Sequence, residues 1–337
     1  MSARSEGYLG RACPTTSWVL AIAGLLALGS APAAAAQSDA ESGADVLALA
    51  PSPRATAFGG AYTAGAPGDP FALFANPAGI AGPGGPADPG GVGGWSVGAA
   101  FRAHVGDASA GSLAARFAGL GGAAAVAVRY LDYGEVDELI PDPAFGGERG
   151  MATGARIRGT EVALSGAYAF EVGPFAAGAG FDLVRTDLAE LQDVAVAGSA
   201  GARVGLWEGR VGIGAAVQHL GADAAPGRDA PLPRTYRGGV SLALGVAGPL
   251  RLRVLADAAG PWDRLRPAVG AEVGIAGTDG VLLEARAGWD GSVEREDALE
   301  EWSWGGGLVV GDLAIDYAYR GIGVLGAAHQ IGARLRR

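Results

Sequence analysis

The sequence contains no lysine. All 25 of its basic residues are arginine, and its 337 residues include one asparagine (Asn76), one cysteine (Cys13), three histidines and two methionines. A GC-rich genome that drains AA-rich codons leaves such a composition, so the one Asn kept between Ala75 and Pro77 asks for a reason. Cys13 falls within a segment that reads as a removable export signal. The mature chain then has no cysteine, which excludes a disulfide framework and thiolate chemistry. No His-x-x-x-His and no paired-cysteine spacing occurs, which argues against a dedicated zinc site. "GIGVLG", residues 321–326, has the form of a phosphate-binding glycine loop. It leads into a strand pattern rather than a helix, so it reads as a hairpin connection. Nothing here supports an enzyme or a cofactor.

Positive charge is also in deficit. Without residues 1–36 the chain carries 23 basic and 34 acidic residues, a net charge of about −11. That disfavours nucleic acid as a partner, which wants a basic surface. Long apolar runs are missing after residue 36, although 49% of all residues are hydrophobic. The one such run, Trp18–Leu28, follows Arg4 and Arg11 and precedes "SAPAAAAQ", which predicts a signal peptide cleaved near Ala36. A transmembrane helix is the competing reading, but it needs about 20 apolar residues. An exported, apolar chain without a membrane helix has one other way through a bilayer, a closed β-barrel, because closure satisfies every backbone group.

The positive signal is a period of two. In 160–171, Val162, Leu164, Tyr168 and Phe170 share one face, opposite Glu161, Ser165 and small residues; in 312–320, Leu313, Ile315, Tyr317 and Tyr319 oppose Asp312, Asp316 and Arg320. Charges recur on one face only, as in strands that are apolar outward and polar or small inward. Fourteen such segments are expected, at 93–103, 111–119, 122–131, 160–171, 174–187, 191–206, 210–218, 235–246, 250–258, 266–276, 280–289, 301–310, 312–320 and 328–336. Connections alternate short ("GLGG", "VGP", "WEG", "AGP", "GTDG", Gly311) and long (132–159, 219–234, 290–300), the pattern of periplasmic turns and outer loops. Trp95, Tyr168, Phe170, Phe175 and Trp207 are expected at one rim, with Tyr130, Tyr236, Trp289, Trp302, Trp304 and Tyr319 at the other, matching two interfacial girdles. A soluble sandwich or propeller is the alternative, but it does not need an apolar outward face on every strand.

The inward charges expected are Arg203, Arg251, Arg253, Asp257, Glu272, Glu284, Arg286, Asp316, Arg320 and Arg334. They either pair with one another and with a lumen segment to plug the barrel, or line a permeation path. The acidic connections 132–148 and 290–301 are a weaker candidate for a divalent cation; they lack EF-hand spacing.

The stretch "PSPRATAFGGAYTAGAPGDPFALFANPAGIAG", 51–82, resembles the N-terminal signature of the PorV/PorQ-like outer-membrane family in Gly59, Gly60, Ala61, Tyr62, Asp69, Asn76, Pro77, Ala78 and Gly79. Residues 215–244 resemble that family's Val-Gln-Asn-Leu-Gly segment, with His219 in place of Asn, and 313–337 resemble its closing hairpin. The resemblance implies a FadL-like barrel of fourteen strands with an N-terminal hatch in the lumen. The domains then read as 1–36 signal, 37–91 hatch and 92–337 barrel in a bacterial outer membrane. It also implies transport, either as a type IX-like secretion component handling a cargo protein or as a FadL-like channel for hydrophobic small molecules. A structural barrel that only anchors a partner is the reading from another class. Asn76 is expected to bond its own backbone two residues on while Pro77 keeps it extended, giving a rigid turn. The chain ends Arg336-Arg337 rather than on the aromatic residue common to such barrels.

Overall fold

The computed structural model describes residues 43–82, 94–104, 107–119, 121–145, 149–189, 191–221, 231–245, 249–278, 280–291, 301–322 and 326–337. The signal expected over 1–36, and positions 37–42 and 83–91 of the expected hatch, lie outside them.

Fourteen antiparallel strands follow one another around a ring: β1 (Gly94–Ala103), β2 (Ser109–Gly119), β3 (Gly122–Pro141), β4 (Gly150–Val172), β5 (Phe175–Leu188), β6 (Leu191–Leu206), β7 (Val211–Gly221), β8 (Thr235–Gly245), β9 (Leu250–Gly260), β10 (Arg266–Ala276), β11 (Val281–Asp290), β12 (Trp302–Val310), β13 (Leu313–Gly321) and β14 (Ala327–Arg336). The ring closes where β1 meets β14, with Ser96 opposite Arg336 and Ala103 opposite His329. Pairing runs to the last residue: the Trp95 N–H donates to the Arg337 carbonyl (3.0 Å), and the Arg337 N–H to that of Trp95 (2.9 Å). Closure leaves no strand edge, which is what permits a sheet to cross a bilayer.

Side-chain alternation decides which face meets lipid. Along β3, Val126, Val128 and Tyr130 are exposed, while Ala123, Ala125, Ala127, Arg129 and Leu131 are buried inside. Ile331 and Leu335 face out from β14 in the same way. Most exposed aromatics fall into two belts, with Phe181 and Tyr317 at mid-wall. Trp95, Phe117, Tyr168, Phe170, Phe175 and Trp207 lie near the short-turn rim, and Tyr130, Trp262, Trp302, Trp304 and Tyr319 near the other. Interfacial rings favour this placement.

One connection differs from the expectation. Residues 132–159 were expected as a loop, but β3 runs on to Pro141 and β4 begins at Gly150, forming a ribbon beyond the rest of the wall. The pairing survives because Val136 faces Ile157 and Ile140 faces Met151, while Gly134 and Gly154 take positive φ (81° and 83°) around two register shifts. The Arg156–Glu135 ion pair (3.0 Å) bridges the two strands.

Residues 43–82 lie within the ring. Phe71 abuts Gly98 on β1, Pro77 abuts Gly178 on β5, Thr63 abuts Gly214 on β7, Phe58 abuts Gly270 on β10, and Pro53 abuts Gly332 on β14. Contacts on every side of the ring require an interior position. The segment holds two short helices, α1 (Asp45–Ala48) and α2 (Pro53–Ala57), and two 3₁₀ turns, Pro70–Phe74 and Pro77–Ile80. Each of the last three begins Ser/Asp/Asn-Pro. The polar side chain caps a backbone N–H and the proline supplies a ready helical φ. Ordering a backbone costs about 1–2 kcal/mol per residue, and such short helices cannot offset that alone. The wall must hold the segment.

Candidate functional site

The candidate site is the filled lumen, and Asn76 is its tightest point. The backbone is extended there (φ −156°, ψ 110°), and Oδ1 accepts the Ala78 N–H (3.0 Å). The amide nitrogen then donates in two directions, to the Thr63 carbonyl of the hatch (3.1 Å) and to the Ala202 carbonyl of β6 (3.0 Å). Only glycine fits beside it: a Cβ on Gly201 would lie 2.0 Å from Oδ1, and one on Gly178 would lie 2.7 Å from the Pro77 carbonyl carbon. Gly79 is close-packed too, its added Cβ meeting that of Ala72 at 2.9 Å.

Gly59 and Gly60 end α2 with positive φ (64° and 88°), the left-handed cap glycine favours. Gly59 also lies against β11, where a Cβ would meet the Trp289 carbonyl oxygen at 2.5 Å. Next along the chain, the N–H groups of Tyr62 and Thr63 both donate to Asp257 Oδ2 of β9 (2.9 and 2.8 Å). The Tyr62 hydroxyl donates to Asp69 (2.9 Å). Burial and that carboxylate push the phenol up, so it stays a neutral donor.

Asp69 opens a cluster of charge. It pairs with Arg334 (2.9 Å), which also holds Asp316 (3.0 Å). Arg286, fully buried, binds Asp316 (2.6 Å), Glu272 (2.7 Å) and Glu284. Arg54 of the hatch reaches Glu272 (3.2 Å), with Arg253 at 3.9 Å from the same residue. Four guanidiniums thus meet four carboxylates. Of the other expected inward charges, Arg203 donates to the Ala64 carbonyl (3.3 Å), Arg320 pairs with Asp290 near the long-loop rim (2.5 Å), and Arg251 is exposed near the opposite end of β9.

The wall opposite is different. Val46 and Leu47 pack with Leu131, Ala163, Val184, Ala195, Ala197 and Leu232 in an apolar chamber toward the long-loop rim. Glu161 accepts the Val46 N–H (2.8 Å) and the Tyr133 hydroxyl (3.1 Å). Phe71, Phe74 and Ile80 pack below among inward alanines of β1–β5, with the Arg129 guanidinium 4.4 Å from the centre of the Phe74 ring.

Several buried polar residues escaped the sequence reading: Arg102, Arg116, Arg129 and Gln218. The signal was present, since Arg129 stands between outward Val128 and Tyr130. It was obscured because the N-terminal strands carry alanine rather than charge at most inward positions. Among the described residues no group of three or more His, Cys, Asp or Glu is placed to hold a metal ion.

No protein-family model matches the chain, and no curated protein matches it. Solved structures do. The toluene transporter TbuX of Ralstonia pickettii aligns with a TM-score of 0.52 at 15% identity, covering 85% of this chain and 97% of that one. The toluene transporter TodX of Pseudomonas putida gives 0.51 at 12%, covering 88% and 98%. A TodX deltaS2S3 mutant, described as a monoaromatic hydrocarbon channel, gives 0.53 at 12%, covering 85% and 97%. At such identities the likeness shows the fold alone: a closed fourteen-strand antiparallel barrel.

Proposed function

We propose that the chain is a bacterial outer-membrane barrel that admits small hydrophobic molecules, with residues 43–82 as a hatch that closes the lumen at rest and residues 1–36 as its export signal. The observation that carries this is the apolar chamber filled by Val46 and Leu47. Withdrawal of α1 leaves Leu131, Val184 and Leu232 facing an empty space suited to an apolar solute and poorly suited to an ion. The fold shared with toluene transporters supports the same reading. Uptake of a monoaromatic hydrocarbon into proteoliposomes tests it. Flux should rise when residues 43–50 are deleted, and a barrel equally impermeable with and without them contradicts the proposal.

A second reading, a secretion component that passes on a cargo protein, draws on the sequence resemblance to the PorV/PorQ-like family. It is favoured by the exposed Val136, Leu139, Ile140 and Met151 of the β3–β4 ribbon. Apolar residues projecting beyond the wall suit contact with another protein. Shortening the ribbon should then abolish cargo crosslinking and leave hydrocarbon flux unchanged.

A further inference from the structure

Arg102 of β1 and Arg129 of β3 flank the inward face of β2, in register with Ala110 and Ser112 respectively. Both are buried, 5% and 3% exposed. Their hydrogen bonds leave the same atom over. Arg102 Nη2 donates to the Ala50 carbonyl (3.2 Å), Thr56 Oγ1 (2.7 Å) and Gln330 Oε1 (3.1 Å). Arg129 donates to the Leu47 carbonyl (3.3 Å) and to Asp182 (2.9 Å). The Nε of each is buried without a partner. Both residues line one cavity of about 20 Å³, together with Val46, Ala50, Ser112 and Gln330.

Charge decides what belongs there. Asp182 neutralises Arg129, and no carboxylate among the described residues pairs with Arg102; its three acceptors are all neutral. A buried charge without a counter-charge is costly, which sets Arg102 apart from the neutral cluster around Arg286. A cavity this size holds about one water-sized particle. A water supplies a hydrogen-bond acceptor but no charge, whereas a monatomic anion supplies both to two orphaned donors. The surrounding Val46, Leu49 and Ala100 leave little room for a hydration shell, which suits a partly dehydrated halide.

We propose that the cavity between Arg102 and Arg129 binds a single small monovalent anion, chloride in ordinary solution, and that this ion pins the start of the hatch to β1–β3. It neutralises Arg102 where that residue clasps Ala50 and Thr56. The site stands on its own, independent of the transported solute.

Crystals of the full barrel grown in bromide test it directly: an anomalous peak is expected in the cavity, and it should vanish in Arg102→Gln. In detergent at equal ionic strength, the unfolding midpoint should be roughly 2–4 °C higher in chloride than in gluconate. Arg102→Gln should lose that difference, and Arg102→Lys should keep part of it. If Arg102→Gln does not fold, the bromide map and the salt comparison on the unaltered protein decide alone. No bromide peak, the same midpoint in both salts, or a full halide shift in Arg102→Gln overturns the proposal.

Discussion

Against β9–β14 the hatch is held by charge and by backbone packed on backbone. Arg54 and Asp69 enter a cluster with Glu272, Arg286, Asp316 and Arg334, and Gly59 lies flat against β11. Against β2–β6 the same segment rests largely on alanines and aliphatic side chains. The two attachments fail differently. Ion pairs are directional, and removing one partner strands a buried charge at a cost of about 3–5 kcal/mol. Apolar contacts are non-directional and yield piecemeal as their area is uncovered. The charged half therefore fixes where the hatch sits, and the apolar half is where displacement should begin, at residues 43–50.

Substitutions graded along this contrast test it. Arg286→Met takes one cation at once from Glu272, Glu284 and Asp316 and should destabilise the barrel by about 3–5 kcal/mol, read as a lower unfolding midpoint in detergent. Asn76→Ala removes a cap, leaves the Thr63 carbonyl without its side-chain donor and takes the second bond from that of Ala202. Its expected cost is about 3 kcal/mol, seen as protease cleavage within 43–82 while the strands stay protected; unchanged protection contradicts a structural role for Asn76. Leu47→Ala opens the apolar chamber for about 2 kcal/mol. It should raise hydrocarbon flux and expose only 43–50 to protease. Arg156→Ala, on the exposed ribbon, removes a solvated ion pair. It should shift stability by less than about 1 kcal/mol, with no change in flux.

The barrel was legible because lipid enforces a strict rule. Val162, Leu164 and Phe170 must point out, so period two marks each strand and glycine-rich turns mark the joints. The ribbon was missed because that rule lapses outside the bilayer. Asp132, Glu135, Asp137 and Glu138 look like a solvated loop, and only cross-strand partners such as Ile157 and Thr153 reveal pairing. The turn at Asn76 is local chemistry, visible in Asn-Pro. Its partners Gly178 and Gly201 are not, since the sequence does not say which wall glycine receives which hatch atom. Arg102 is the clearest case: one arginine among alanines looks incidental until the fold brings Thr56 and Gln330 to it.

The central claim is that residues 43–82 close the lumen and must move for solute to pass. The Val46 N–H donates to Glu161 of β4 at 2.8 Å, and the lone native cysteine, Cys13, lies in the expected signal. A Val46→Cys, Glu161→Cys barrel joined by a short reducible thiol cross-linker therefore tethers the start of the hatch to the wall without background. Hydrocarbon flux should fall on cross-linking and return on reduction; equal flux in both states contradicts a moving hatch.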